Sequence, residues 1–497
     1  LTHSAPAAEP TTVRRAVLLL AAGVAVSQLL ALLVGQPGLG TDEAHYALYG
    51  LHLDWSYFDH PPLVGWLQAL AMCVSEGEFA LRAWPVLSLF LSGLLVARLT
   101  SRLFPHDSPW TSFWAMVLLY SSPMLQLIGI SMLPEAPLLP LGLWTLLVLL
   151  RLRERPKLKT WLQLGLCLGL AGLAKYTAVT LVVTAGIVLW IRRPQRLFAG
   201  LGPVLAVVLA ALIVSPVFVW NAQHDWASFS YQFSHGTGGG GWELGRALAG
   251  QAGQLLAFTP CLYLLGWTSV LAARHELAHD GVRCSLALAL PILILFGFGS
   301  GFETSLPHWT SLAWVGLAPL TARRLVGSWK RRRVRVLAFS SAVYSVLLLF
   351  VIYSQIAFWW IPFSDYHDPS AALRGWPAAA QTARRLQSEM ADEAGPAPRL
   401  FVDSWARASR LAWYARPEPV LPLDNSPSQF DLWYGLPEEG DRGILIVWDR
   451  KGDDDEVGDL GLFADHHLIT EQHVDVAGHR AATFRFFACS GYGEQEL

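Results

Sequence analysis

The chain has 497 residues, 53% of them hydrophobic and only 15% charged, with 22 tryptophans, a composition well outside that of an ordinary soluble globule. The formal net charge of -2 hides a segregation of basic residues into short loops and of acidic residues after 360, and nothing in it points to nucleic acid. Five cysteines, at 73, 167, 261, 284 and 489, have no CxxC or other metal-ligand spacing, so no disulfide framework is indicated.

These features predict a polytopic α-helical membrane protein. Arg14 and Arg15 precede an apolar run that continues to Val34 without a clear cleavage site, and it is expected to be retained as a first span. Further spans are predicted near 81–100, 110–129, 133–150, 161–174, 176–191, 198–220, 249–271, 284–300, 307–322 and 336–359, about eleven in all. Alternating barrel strands would not produce such long apolar blocks. The loops predicted to be cytoplasmic hold Arg102; Arg151, Arg153, Arg155, Lys157 and Lys159; Arg192, Arg193 and Arg196; Arg274 and Arg283; and Arg323, Arg324, Lys330 to Arg333 and Arg335. By contrast, 35–80, 221–245 and 301–309 contain no Lys or Arg. That asymmetry places the N-terminus in the cytoplasm, and the odd number of spans places the C-terminal region outside it.

The loop 35–80 carries two amphipathic patterns, 42–53 and 62–74, separated by Tyr57-Phe-Asp59-His60-Pro61-Pro62, with Trp55, Tyr57 and Trp66 suited to an interface. Thr41 is expected to cap a helix that begins at Asp42 and Glu43. Consecutive helical residues do not share a direction, so one carboxylate can face a cavity while the other turns away. These acids read either as first-turn capping charges or as groups that orient and deprotonate an acceptor hydroxyl. His45 follows them. Asp59 can orient His60 towards a phosphate oxygen, or the two can simply pin the Pro-Pro corner. A divalent cation held by such Asp, Glu and His groups is compatible with the sequence, although the spacing specifies none.

Further along, Glu135 in Pro134-Glu-Ala-Pro137 opens a span, where it is expected to accept helix N-terminal hydrogen bonds or to face a wet cavity. Lys175, followed by Tyr176, is an isolated cation on the face otherwise stripped of positive charge. It fits a phosphate ligand, or a side chain snorkelling to the interface. The segment from Trp220 through His224, Trp226 and Phe229 to Tyr231 and Phe233 alternates rings with amide and imidazole groups, ahead of Gly238–Gly241. It suits either a sugar and lipid-headgroup surface or an aromatic belt. His308, in Leu306-Pro-His-Trp309, stands at a similar span entrance and can help to hold phosphate. From about 362 the pattern changes to a helix-like 372–390 and short segments at 399–402, 443–448 and 483–488. These predict a small mixed α/β extramembrane domain at 362–497, after a membrane domain at 1–361 that includes the loop 35–80. Lys451 to Glu456 is read as a solvated turn, without the liganding positions of an EF-hand loop.

Thr41-Asp-Glu-Ala-His-Tyr46, Leu53 to Val64, Leu170-Ala-Gly-Leu-Ala-Lys-Tyr176 and Ser215 to Trp226 resemble the bacterial dolichyl-phosphate-mannose-protein mannosyltransferase-like superfamily, glycosyltransferase families 39 and 83. That group includes the aminoarabinose transferase acting on lipid A. The likeness covers about 12–360 and is specific for the superfamily but weak for any one substrate. It implies a C-type glycosyltransferase fold in the bacterial inner membrane, working on the extracytoplasmic side and commonly inverting the anomeric centre. The implied donor is a polyprenyl-phosphate-linked sugar, and the implied acceptor an envelope glycolipid, lipid A among them, or a protein. Asp42 matches the catalytic or acceptor-orienting aspartate and Glu43 its acidic neighbour, Glu135 stands where many relatives have Asp, and all three are assigned to catalysis. His60 stands where the lipid A enzyme has a lysine that contacts donor phosphate. Lys175, Tyr176 and His308 are assigned with it to the phosphate, and His45, Tyr57, Asp59, His224 and Trp226 to substrate. The two early carboxylates and the lysine are expected to meet around the carrier headgroup. A non-catalytic transporter of a lipid-linked sugar is the rival, yet neither an inverted repeat nor paired interrupted helices is evident. A scaffold whose tail binds an assembly partner is a third reading.

Overall fold

A computed structural model describes residues 10–35, 38–191, 197–198, 200–237, 241–361, 370–391, 397–424, 426–449, 458–476 and 478–493. The expected turn at 451–456, most of the glycine run at 238–241 and the basic residues 192, 193 and 196 lie outside them. The chain divides into two compact units. One comprises Leu1–Leu32, Asp54–Val64 and Arg82–Phe350; the other comprises Leu33–Leu53, Gly65–Leu81 and Val351–Leu497. Residues of the first loop fall in both units.

The first unit is helical. Among the described residues, six helices are long and apolar enough to cross a membrane: Thr11–Val34, Glu78–Leu103, Glu135–Glu154, Gly202–Gln223, Asp280–Gly299 and Arg332–Phe358. A seventh is formed if Leu244–Ala257 and Pro260–Ala273, bent by 118°, count as one span. The protein is thus polytopic, with six or seven such candidates instead of eleven. Local chemistry explains the shortfall. The stretch expected at 110–129 breaks into Trp110–Tyr120 and Pro123–Ile128, because Ser122 accepts a hydrogen bond from the Leu125 amide and Pro123 has no amide hydrogen to continue the preceding helix. Thr259, at φ 67°, and Pro260 interrupt 249–271 in the same way. The helices Leu158–Ala174 and Ser311–Gly327 have 17 residues each and Val179–Trp190 only 12. At 1.5 Å per residue those lengths give about 26 and about 18 Å against a hydrocarbon core of about 30 Å.

Small residues bring two of these helices together. A Cβ at Gly165 would stand 2.5 Å from the Ala206 carbonyl oxygen, and one at Gly169 2.6 Å from the Ile213 Cβ, so Leu158–Ala174 and Gly202–Gln223 pack backbone to backbone. Gly169→Leu should separate them and destabilise the membrane unit by about 1–3 kcal/mol, read as a lowered midpoint of thermal aggregation in lipid. The apolar residues of Arg332–Phe358 that stay exposed, such as Phe339, Val346 and Phe350, are its lipid-facing stripe.

The second unit is built on a five-stranded mixed sheet of order β2-β1-β3-β5-β4, with β1 Arg399–Val402, β2 Val420–Pro422, β3 Gly443–Asp449, β4 Phe463–Val476 and β5 His479–Tyr492. β1 pairs in parallel with β2 and β3, while β3–β5 and β5–β4 are antiparallel. Gly-Ile-Leu-Ile-Val of β3 is apolar throughout because the strand is central and buried on both faces. Helices Trp376–Ala391 and Trp405–Ala415 pack on the sheet, the former through Trp376 edge-on to Phe484 at 5.1 Å. The helix Thr41–Leu51, from the first loop, packs on Trp405–Ala415.

Candidate active site

Within the membrane unit three of the expected residues converge. Glu135 is the first residue of Glu135–Glu154, whose N-cap is Pro134. Lys175 is the extended residue closing Leu158–Ala174 before the short turn Tyr176–Ala178. His308 sits in the turn Pro307–Thr310 that leads into Ser311–Gly327. Lys175 is 7% exposed and Glu135 3%, and the ammonium donates to the Glu135 carboxylate. His308 Nε2 stands 3.6 Å from Glu135 Oε1, and the Lys175 ammonium lies 5.9 Å above the Trp309 ring. A cation at a helix C-terminus and an anion at a helix N-terminus both suit the backbone dipoles. Glu135 thus takes a lysine as partner, and Lys175 is buried rather than snorkelling. An ammonium has three N–H groups, so the pair leaves donors for an anionic ligand.

Next to Lys175, the Tyr176 hydroxyl bonds Ser228, with Ser56 and Asn221 also in reach. Phe58 packs on Tyr231 at 4.9 Å, Gln232 Nε2 donates to the Asp59 carbonyl at 2.6 Å, and Trp220 Nε1 donates to Asp54 Oδ2 at 2.8 Å. The segments 54–60 and 220–232 therefore form one wall with Tyr176. Tyr57 is buried, its hydroxyl accepting from the Asp54 amide at 3.2 Å. Burial raises its pKa, so it remains a neutral phenol. His60 Nε2 is 4.0 Å from Asp59 Oδ2. His224 donates from Nδ1 to the Trp220 carbonyl at 2.8 Å and stacks on that indole at 4.1 Å. Asp225 and Trp226 have φ of 51° and 59°, a turn that leaves Trp226 49% exposed. Asp54 and Ser228 were missed in the sequence, which carries no sign of their hydrogen bonds to distant residues.

Asp42, Glu43 and His45 belong to the second unit. Gly40, not Thr41, is the N-cap of Thr41–Leu51, and Glu43 Oε2 returns to accept from the Gly40 amide at 3.0 Å. Glycine has no side chain, so only this half of a capping box exists. Glu43 is buried while Asp42 keeps partial exposure, the divergence expected of consecutive helical residues. His45 is enclosed: its Nδ1 meets Ser409 Oγ at 3.0 Å and its Nε2 the Tyr49 hydroxyl at 3.1 Å, with Trp405 edge-on at 5.3 Å. Among the described residues, no group of three or more His, Cys, Asp or Glu side chains is placed to hold a metal ion.

Residues 59–220 match the family described as dolichyl-phosphate-mannose-protein mannosyltransferase. The fold is that of ArnT from Cupriavidus metallidurans, with TM-scores of 0.63 for its apo state and 0.62 for its complex with undecaprenyl phosphate. Both comparisons have 14% identity and cover 94% of this chain and 97% of the other. The Archaeoglobus fulgidus oligosaccharyltransferase aligns at TM-score 0.52 and 13% identity, covering 87% of this chain and 69% of that one. In fold, the chain is similar to these membrane-protein structures. More particularly, it is 26% identical over 300 residues to the lipid A galacturonosyltransferase RgtD of Rhizobium johnstonii, across 58% of this chain and 61% of that relative's length.

Proposed function

We propose that the protein transfers a sugar from a polyprenyl-phosphate donor to an envelope glycolipid of the lipid A type, at the extracytoplasmic face of a bacterial inner membrane. The observation that carries this reading is the buried Glu135–Lys175–His308 group at the ends of apolar helices. Charges are kept in such places at considerable expense, and they mark ligand sites. The relatedness to RgtD and the shared fold with ArnT support the donor and acceptor classes. The cation-poor segments 35–80, 221–245 and 301–309 support an extracytoplasmic C-terminal unit and a cytoplasmic N-terminus.

In this reading Lys175, His308, Tyr176 and His60 hold the donor phosphate, with Glu135 keeping Lys175 charged and in place. Tyr57, Asp59, His224 and Trp226 supply the polar and aromatic wall for sugar and headgroup, and His45 fixes the helix that bears Asp42. Asp42 accepts the proton of the acceptor hydroxyl as that oxygen attacks the anomeric carbon. The bond from anomeric carbon to phosphate oxygen breaks, and the polyprenyl phosphate leaves with the electron pair. Such a single displacement inverts the anomeric centre. The leaving group is already an anion, so it needs cations and hydrogen-bond donors more than a general acid.

The test is reconstitution in vesicles with labelled undecaprenyl-phosphate sugars and purified lipid A. Label should appear on lipid A. Passage of intact donor between leaflets without any glycolipid product would replace this reading with a transporter.

A further inference from the structure

The second unit contains a buried arginine that the reaction above does not use. Arg410, on Trp405–Ala415, is 6% exposed. Its guanidinium lies 4.6 Å from the Trp376 ring centroid, and it donates from Nη1 to the Ala372 carbonyl at 2.8 Å and from Nε to the Ala406 carbonyl at 3.3 Å. Carbonyls orient a guanidinium without neutralising it, so a buried cation held this way keeps its charge for another group.

Two contacts tie the start of Thr41–Leu51 to the same neighbourhood. Asp42 and His45 are three residues apart and share a helix face, and His45 meets Ser409, the residue before Arg410. Ser409 donates its own hydrogen to the Trp405 carbonyl at 2.8 Å, so its oxygen accepts from His45 Nδ1–H. Just before the helix, a Cβ on Gly38 would collide with the Leu373 carbonyl, one residue beyond the Ala372 carbonyl that holds Arg410. Only glycine lets the backbone approach so closely.

We propose that Arg410 is a positioning residue for Asp42, a fixed positive charge from the sheet unit that keeps this carboxylate ionised and aimed for the acceptor hydroxyl. The proposal rests on the transferase reading for its purpose, though not for its geometry. Burial, with help from Arg407, pushes the Arg410 pKa down to about 10, and Asp42 pulls in the opposite direction. The other charged groups nearby have partners of their own: Arg407 pairs with Asp403, Arg374 Nη2 donates to the Ile356 carbonyl, and Glu43 accepts from the Gly40 amide. His45 is held between Ser409 and Tyr49.

The test measures carbodiimide and glycine ethyl ester labelling of Asp42 against pH by mass spectrometry, since only the protonated carboxyl reacts. The full-length protein in lipid is used, with the exposed Glu439 as reference. Arg410→Gln should move the Asp42 midpoint to higher pH by about one unit, leaving Glu439 unchanged, and Arg410→Lys should stay close to the native protein. An unmoved midpoint in folded Arg410→Gln overturns the proposal. The reciprocal measurement covers failure of that variant to fold. Asp42→Asn should raise phenylglyoxal modification of Arg410, and unchanged reactivity also overturns it. Turnover separates the two readings. Arg410→Gln should lose about tenfold in rate at neutral pH through loss of aim, since a carboxylate moved by about one unit is still ionised there, with undecaprenyl phosphate binding retained, whereas a labelling shift in the variant together with no sugar transfer by the native protein supports the pairing and sinks the transferase.

Discussion

Asp42→Asn should reduce turnover by about 10²- to 10⁴-fold, the usual span for loss of a general base, while leaving the affinity for undecaprenyl phosphate nearly unchanged. An amide of the same shape still hydrogen-bonds a hydroxyl but cannot take its proton, so the loss falls on kcat. Glu43→Gln makes the necessary contrast. Its amide oxygen can still accept from the Gly40 amide, as Glu43 Oε2 does at 3.0 Å, so it should keep turnover within about tenfold of native and lose no more than about 1 kcal/mol of stability. Initial rates with labelled donor, together with equilibrium binding of undecaprenyl phosphate, decide the matter. Full activity in Asp42→Asn, or equal damage from both variants, would remove Asp42 from its assigned role.

The second large effect concerns the buried pair in the membrane unit. Glu135→Leu strands the Lys175 ammonium among apolar helices and should destabilise the protein by about 3–5 kcal/mol, the range for breaking a buried ion pair from one side. Combining it with Lys175→Met removes both charges and should restore most of the thermal stability, because apolar replacements of similar volume avoid desolvation of either ion. Donor binding should not return. Stability in lipid and undecaprenyl phosphate binding, measured on the single and double variants, distinguish a ligand site from a structural pair: a double variant that is stable and still binds the lipid phosphate would make the pair purely structural.

How far the fold was legible differs from element to element. The apolar runs around Thr11–Val34, Gly202–Gln223 and Arg332–Phe358 were read correctly as membrane helices because lipid contact demands an uninterrupted apolar sequence. The strands β1, β3 and β5 and the helix at Trp376–Ala391 left their mark for a related reason, since burial against a sheet selects apolar residues at regular spacing. β4 was missed. It is an edge strand largely exposed to solvent, with His466, His467, Glu471 and Gln472 along it, and such a strand carries the charges that blunt an open edge instead of a hydrophobic pattern. β2, at three residues, is too short to show any period. Apolar composition alone suggests eleven spans because it carries no measure of helix length; Ser122-Pro123 and Thr259-Pro260 cut two of the blocks.

The chemistry-bearing residues divide along the same line. By itself the sequence determined that this is a membrane protein, and it singled out Asp42, Glu43, Glu135, Lys175 and His308 as groups at or beside span entrances requiring an explanation, because an ion near hydrocarbon is costly wherever the chain runs. Only the tertiary structure decided the partners. It joined Glu135 to Lys175 across 40 positions, enclosed His45 against Ser409 across 364, and assigned the helix bearing Asp42 to the unit that contains the sheet. Apolar periodicity is a local property that each segment carries for itself, whereas a buried charge is stabilised by whatever group the fold brings to it, and that choice is written in no segment alone.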